Sequence, residues 1–278
     1  MNLTNYHSHT TFCDGRAPME DFIKEAIRQG FTSYGISSHA PLPFPTRWTM
    51  EKENVSSYLD EFFKLKKIYK DKIELYIGLE IDYLDENSNP AAEYFQNLPL
   101  DYRIGSVHLL KDEKGEIVDI DCSKEVFKER LEKHFHNDLK TTVLAYYNQL
   151  MTMVGLGGFD IVGHADKIAY NASFCQVDVT AQEWYKQTVR ELFAYIAEKG
   201  YMMEINTKAF HQLGVFYPSV TNFSLIREMN IPVLVNSDSH FPELVNDGRT
   251  EALQALKSAG INVVMELTGG VWQKALIL

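Results

Sequence analysis

Short apolar segments with strand-like patterning alternate with helical patterns along almost the whole 278-residue chain, and this alternation constrains the fold most. Strands separated by helices pair in parallel, because the helix returns the chain to the same end of the sheet. A barrel or an open wound sheet is the expected result. The strand-like segments are residues 2–9, 31–37, 73–80, 103–108, 159–164, 201–206 and 231–237, with 261–265 as a short eighth. Helices are expected over 56–69, 124–151, 181–199 and 222–229. Another is expected between Pro18, just inside its start, and Gly30, just past its end, with Phe22, Ala26 and Ile27 as apolar positions. No internal repeat, low-complexity tract or Pro/Gly/Ser-rich linker interrupts the pattern, so residues 1–278 are expected to form a single domain.

The chemistry gathers where the strands end. His7-Ser8-His9 places two imidazoles at i and i+2, a spacing that turns both to one face of a strand. Asp238 and His240 repeat the spacing near the other end of the chain. Between them, Glu80 follows the apolar run 75–79, His108 ends Ile104-Gly105-Ser106-Val107, and His164 ends Phe159-Asp160-Ile161-Val162-Gly163. His39 follows Ile36-Ser37-Ser38. Six of the seven expected strands therefore end in a side chain able to bind metal. In parallel α/β folds these C-terminal ends form one rim, and Asp14, in the loop after the first strand, lies on it. Imidazole mixed with carboxylate suits Zn, Fe or Mn, and a carboxylate can bridge two ions. Nine ligands exceed the needs of one ion, so two or three divalent ions are expected. Ions paired ~4 Å apart suit an in-line phosphoryl displacement.

Other residues read as ordinary structure. His134 and His136 lie in a charged helical pattern and read as solvated surface. His211 has no partner at ligand spacing and is either structural or a substrate contact. Cys13, beside Asp14, reads as a small packed side chain, and the aromatic run Trp184 to Tyr195 as helix core. With 27 Lys plus Arg against 38 Asp plus Glu, the chain carries a formal charge of -11. Such a surface repels phosphate backbones, so no nucleic-acid partner is expected. Cys13, Cys122 and Cys175 are too scattered for a disulfide framework, and no apolar run is long enough to span a membrane. With no leader-like start either, the expected location is cytoplasmic.

The motifs in order resemble the polymerase and histidinol phosphatase (PHP) superfamily. They are His7-Ser8-His9, Cys13-Asp14-Gly15, Ser37-Ser38-His39-Ala40-Pro41, Gly78-Leu79-Glu80, Gly105-Ser106-Val107-His108, Gly163-His164-Ala165-Asp166 and Ser237-Asp238-Ser239-His240. The resemblance spans residues 1 to about 245 and implies a distorted (β/α)7 TIM-like barrel with up to three metals on its C-terminal rim. It implies one metal on His7, His9, Glu80 and Asp238, a second on Glu80, His108 and His164, and a third on Asp14, His39 and His240. Within the superfamily the chain is most similar to stand-alone histidinol-phosphate phosphatases, through Ser38-His39-Ala40-Pro41, Glu204-Ile205-Asn206-Thr207 and Tyr217-Pro218-Ser219. That similarity implies hydrolysis of L-histidinol phosphate in histidine biosynthesis, with Glu80, Asp238 and His240 in catalytic roles.

The chain departs from that group after Thr207. A Ser-Gly-Leu-Arg-like run is usual there, and Lys208-Ala209-Phe210-His211 stands in its place. The candidate phosphate contacts are therefore Lys208, His211, Lys167 and Arg16. The rival readings are a PHP enzyme for another small phosphate ester or a nucleotide, a metal-dependent amidohydrolase, and a metal-binding regulatory protein without turnover. Glu80, where amidohydrolases often carry a bridging lysine, and the extra His240 argue against the second. The full ligand set argues against the third.

Overall fold

In the computed structural model, which describes residues 3–278, seven parallel strands form a nearly closed barrel with helices between them. The strands are β1 (Thr4–Asn5), β2 (Ser33–Ile36), β3 (Glu74–Asp82), β4 (Tyr102–Ser106), β7 (Ile161–Val162), β8 (Met202–Asn206) and β9 (Val233–Asn236), paired in that order. Two short strands, β5 (Leu109–Lys111) and β6 (Ile117–Asp119), form a hairpin inserted after β4. The main outer helices are α1 (Met19–Gln29), α2 (Val55–Tyr69), α4 (Lys124–Phe135), α5 (Leu139–Leu156), α6 (Ile168–Cys175), α7 (Glu183–Lys199) and α10 (Arg249–Ser258). Three shorter ones complete the set: α3 (Glu93–Gln96), α8 (Phe210–Leu213) and α9 (Phe223–Glu228).

The expected first strand shrinks to two ladder residues, and Asn2 lies outside the described residues. Its closure against β9 is made largely by side chains. Ser8 and Ser239 form one parallel bridge. Below it, Tyr6 N donates to Asn236 Oδ1 at 2.8 Å and Ser237 N donates to Asn5 Oδ1 at 2.7 Å. The buried Arg249 guanidinium donates to Thr4 O at 2.6 Å and Val235 O at 3.1 Å, on the two sides of the seam. Buried amides and carbonyls need partners, and these side chains supply what the interrupted ladder lacks.

Two expectations change. The helix expected over 124–151 is two helices, α4 and α5. His136 and Asn137 take positive φ angles of 52° and 58° between them, and Asp138 caps α5 by accepting from Thr141 N. The expected eighth strand exists as β10 (Val263–Thr268), but it stays out of the barrel. It pairs antiparallel with β11 (Val271–Leu276) through a two-residue Gly269-Gly270 turn, whose positive φ angles of 59° and 77° suit glycine. This hairpin closes the N-terminal end of the barrel. Leu267 packs with Tyr6, Tyr102 and Trp272, and Tyr6 Oη and Ser33 Oγ both donate to Leu267 O. With that end plugged, the opposite rim is the one left for chemistry.

Candidate metal centre

Eight of the nine expected ligands stand just beyond a strand end or in the loop that follows it, and the ninth, Glu80, lies within β3. Glu80 is fully buried, and its two oxygens face different histidines. Oε2 lies 3.1 Å from His7 Nε2, 2.9 Å from His39 Nδ1 and 3.6 Å from His9 Nε2. Oε1 lies 2.9 Å from His164 Nε2 and 3.5 Å from His108 Nε2, and it accepts from Ser106 Oγ at 2.6 Å. His9 Nε2 is 2.9 Å from Asp238 Oδ1. On the outer side, Asp14 Oδ1 is 3.2 Å from His240 Nε2 and 3.8 Å from His39 Nε2. All nine expected ligands therefore come together, and Asp238 reaches its place with a φ of 47°, a left-handed turn that aspartate tolerates better than most residues.

A second tier of residues aims these ligands. Glu204 Oε2 sits 2.7 Å from His7 Nδ1, and Asn236 and Asn206 donate to the same carboxylate at 2.9 and 2.6 Å. Asp82 holds His108 Nδ1 at 2.9 Å, and Cys13 Sγ lies 3.6 Å from His9 Nδ1. Fixing one ring nitrogen leaves the other free to bind a cation, the arrangement found behind metal-ligating histidines. Glu204, Asp82 and Asn206 escape a search for strand-end ligands because they work from behind.

The donor set fits divalent metals. His7 Nε2, His9 Nε2, Asp14 Oδ1, His39 Nδ1 and Glu80 Oε2 are buried and make no hydrogen bond. Buried polar atoms rarely stay unpaired, so five such atoms in one cluster mark the place of something that binds lone pairs. His108 Nε2 and His164 Nε2 face each other at 3.1 Å, which also requires a proton or a cation between them.

Charge points the same way. Burial pulls the His7 and His108 imidazoles down, but Glu204, Asp238 and Glu80 lift His7 well above its usual value. Asp82, Glu80 and Asp121 lift His108 to about 9. Burial would raise the Glu80 and Asp238 carboxyls, yet surrounding histidines, and Lys208 at Asp238, hold both well below the carboxylate range. Protons on the histidines are doing what metal cations do better.

The centre opens into a cavity of about 560 Å³ whose wall carries Arg16, Lys167 and Lys208. Lys208 Nζ reaches 3.3 Å from Asp238 Oδ1 and 3.4 Å from His240 Nε2. Lys167 Nζ is paired with Asp121 Oδ2 at 2.6 Å. His211 is a correction: its side chain is 64% exposed, 3.5 Å from Asp247, and contributes nothing to the wall. His136 is exposed as expected, whereas His134 is not. Only 14% of its side chain is accessible, and it lies 3.1 Å from Asp112 at the turn of the β5–β6 hairpin. A larger cavity of about 810 Å³ lies behind α6 and α7, but none of the nine ligands lines it. Among the described residues no helix is long and apolar enough to cross a membrane.

Comparison with known proteins follows the same geometry. The family model described as the PHP domain matches residues 5–208. A Schizosaccharomyces pombe protein named "Probable histidinol-phosphatase" is 28% identical, covering 95% of this chain and 89% of its own. The histidinol-phosphatase of Bacillus subtilis is 25% identical over 86% of this chain and 94% of its own. The solved structure of a Lactococcus lactis histidinol phosphate phosphatase, complexed with zinc, L-histidinol and phosphate, superposes with a TM-score of 0.71. It is 19% identical and covers 98% of this chain and 99% of its own.

Proposed function

Because this chain belongs to the PHP domain family, we propose that it is a metal-dependent phosphomonoesterase that hydrolyses L-histidinol phosphate to L-histidinol and phosphate. The observation that carries the reading is the divided carboxylate of Glu80, one oxygen toward His7, His9 and His39 and the other toward His108 and His164. The names of the curated relatives supply the substrate. A place in histidine biosynthesis, a cytoplasmic location and a single domain over residues 1–278 belong to the same reading.

In this reading His7, His9, Asp238 and Glu80 hold one ion, Glu80, His108 and His164 a second, and Asp14, His39 and His240 a third. Zn, Fe and Mn all suit the donors. Bound divalent ions supply Lewis-acid stabilisation of phosphoryl oxygens and a water-derived nucleophile of lowered pKa. The chain's own residues do the rest. Lys208, over Asp238 and His240, gives the phosphate dianion a point charge, with Arg16 also on the cavity wall, while Lys167 is taken up by Asp121. A lysine lacks the bidentate geometry of arginine but keeps its full charge. Asp238, held as a carboxylate and accepting from Asn206 Nδ2 at 3.0 Å, is oriented to take a proton from the attacking water and pass it to the leaving alcohol.

The run Lys208-Ala209-Phe210-His211 favours one alternative, a PHP phosphoesterase for another small ester or a nucleotide. The test is kcat/KM for L-histidinol phosphate against sugar, amino-acid and nucleotide monoesters and a chromogenic aryl phosphate. L-Histidinol phosphate is expected to lead the panel, and a value no better than the aryl phosphate would leave only the family-level reading. Lys208→Ala is expected to lower kcat/KM about 10-fold on every ester, about 1.4 kcal/mol of transition-state binding.

A further inference from the structure

The wall of the catalytic cavity carries charges of both signs. On one side Lys208 stands over Asp238 and His240. On the His108 side the wall comes from β6 and the turn after it, and it carries Asp119 and Asp121. Asp119 is occupied: one oxygen accepts from Asp121 N at 2.9 Å and the other lies 3.2 Å from Arg130. Asp121 is only partly occupied. Its Oδ2 pairs with Lys167 at 2.6 Å and lies 3.9 Å from His108 Nε2, while its Oδ1 has no hydrogen-bond partner among the described residues. The side chain remains 29% exposed, within the cavity wall.

Trp48 lines the same cavity and also approaches His108. Its ring meets His108 edge to face at 5.4 Å and His39 at 4.7 Å. The loop that carries it is stiffened by Pro41, Pro43 and Pro45, and Thr46 Oγ1 accepts from Trp48 N at 3.3 Å and Thr49 N at 2.9 Å. A carboxylate oxygen without a partner and a fixed aromatic ring lining one cavity can together attract a cation, through a charge-assisted hydrogen bond and the ring's negative face. Both lie within reach of a ligand whose phosphate is on the metal ligands, because both already touch or approach His108.

We propose that Asp121, with Trp48 in the same cavity wall around His108, is the specificity determinant that selects phosphate esters carrying a positive charge on the alcohol part, an ammonium or imidazolium a few bonds from the ester oxygen. Lys167 holds one oxygen of Asp121 and leaves the other for the substrate's cation, while the phosphate meets the opposite wall. The proposal rests on the phosphomonoesterase reading above but not on the identity of the natural ester.

A matched pair of esters tests it on the metal-loaded enzyme: ethanolamine phosphate and ethyl phosphate, which differ by one ammonium group, with L-histidinol phosphate alongside. Wild type is expected to prefer the ammonium ester. Asp121→Asn is expected to lower kcat/KM for it about 10-fold or more, the scale of a hydrogen bond to a charged group, and to change ethyl phosphate by less than about threefold. Asp121→Glu is expected to restore part of the preference. Trp48→Leu, which leaves every charge in place, is expected to lower the same ratio without Asp121 being touched, so the proposal stays testable if Asp121→Asn does not fold. Equal losses on both esters would mean that Asp121 acts only through Lys167 or the metal ligands, and would overturn the proposal. So would a wild type indifferent to the ammonium group. A low rate on L-histidinol phosphate with the ammonium preference intact would instead overturn the substrate reading alone.

Discussion

Glu80 is the residue on which the centre turns, since its oxygens face two separate sets of histidines. Glu80→Gln keeps the shape but removes the charge and one acceptor. It is expected to lower kcat at least ~10²-fold, the scale of losing an electrostatic transition-state group, and to lower the metal content found by elemental analysis. His134→Ala, at the hairpin turn with Asp112, is expected to change turnover less than about threefold; equal effects would show the centre to be elsewhere. Asp166 gives a second prediction. Burial pushes its carboxyl up to about 7, although Ser219 N and Asn222 Nδ2 both donate to Oδ2. A raised acid binds its proton more tightly folded than unfolded, so its contribution favours folding at low pH and is lost as pH rises from about 4 to about 7. Asp166→Asn cannot titrate, so its stability relative to wild type is expected to be higher at pH 8 than at pH 5 in denaturant unfolding. A difference independent of pH would refute the assignment. The convergence of the nine candidate ligands was legible in the sequence because metal chemistry leaves few residue types and strands impose the i, i+2 spacing. Asp82 and Asp121 were not, and Glu204 showed only as part of a family motif, because what distinguishes them is whom they touch across the barrel.

The elements were legible where period and length agreed, as in α1, α2 and α7, and less so where tertiary contacts decide. β1 is short because Asn5, Asn236 and Arg249 take over hydrogen bonds that a longer ladder would have made. The β5–β6 hairpin is too brief to show a period, yet it carries the wall with Asp119 and Asp121. The apolar run near residue 263 reads like one more barrel strand, and only the Gly269-Gly270 turn and the partner β11 divert it to the barrel floor. That floor should be separable from the rim. Leu267 is 2% exposed against Tyr6, Tyr102 and Trp272. Leu267→Ala is expected to cost about 3 kcal/mol of stability through lost burial and the cavity left behind, read as a lower denaturation midpoint. The folded variant at low temperature should keep kcat within about twofold, since the proposed metal ligands lie at the other end of the barrel. Unchanged stability would mean that the hairpin does not plug the floor; a large loss of kcat in the folded variant would mean that floor and rim are coupled.

At the scale of the whole molecule, the centre links metal binding, folding and pH. Without metals the folded chain must hold Glu80, Glu204 and Asp238 together in its interior, and protonated His7 and His108 partly offset them. A histidine whose folded pKa is raised contributes stability that is full below the unfolded value of about 6.5 and is lost as pH climbs through the folded value. For His108 that value is about 9. His9, His164 and His240 are lowered instead, by burial first and neighbouring cationic groups next, so above pH 7 they are neutral in both states and add no slope. The metal-free protein is therefore expected to lose stability between pH 7 and pH 9. Metal binding runs the other way, because protons must leave His7 and His108 first, so affinity rises over the same interval. Ligand present at about 1,000 times its Kd adds about 4 kcal/mol, on the order of 10 °C in Tm for a chain of this size. The gap in Tm between metal-loaded and chelator-treated protein should thus be several degrees at pH 7 and wider at pH 9. Calorimetric melting of both forms at the two pH values measures it directly. A gap that is absent, or that narrows as pH rises, would mean that the buried histidines are not where the ions bind.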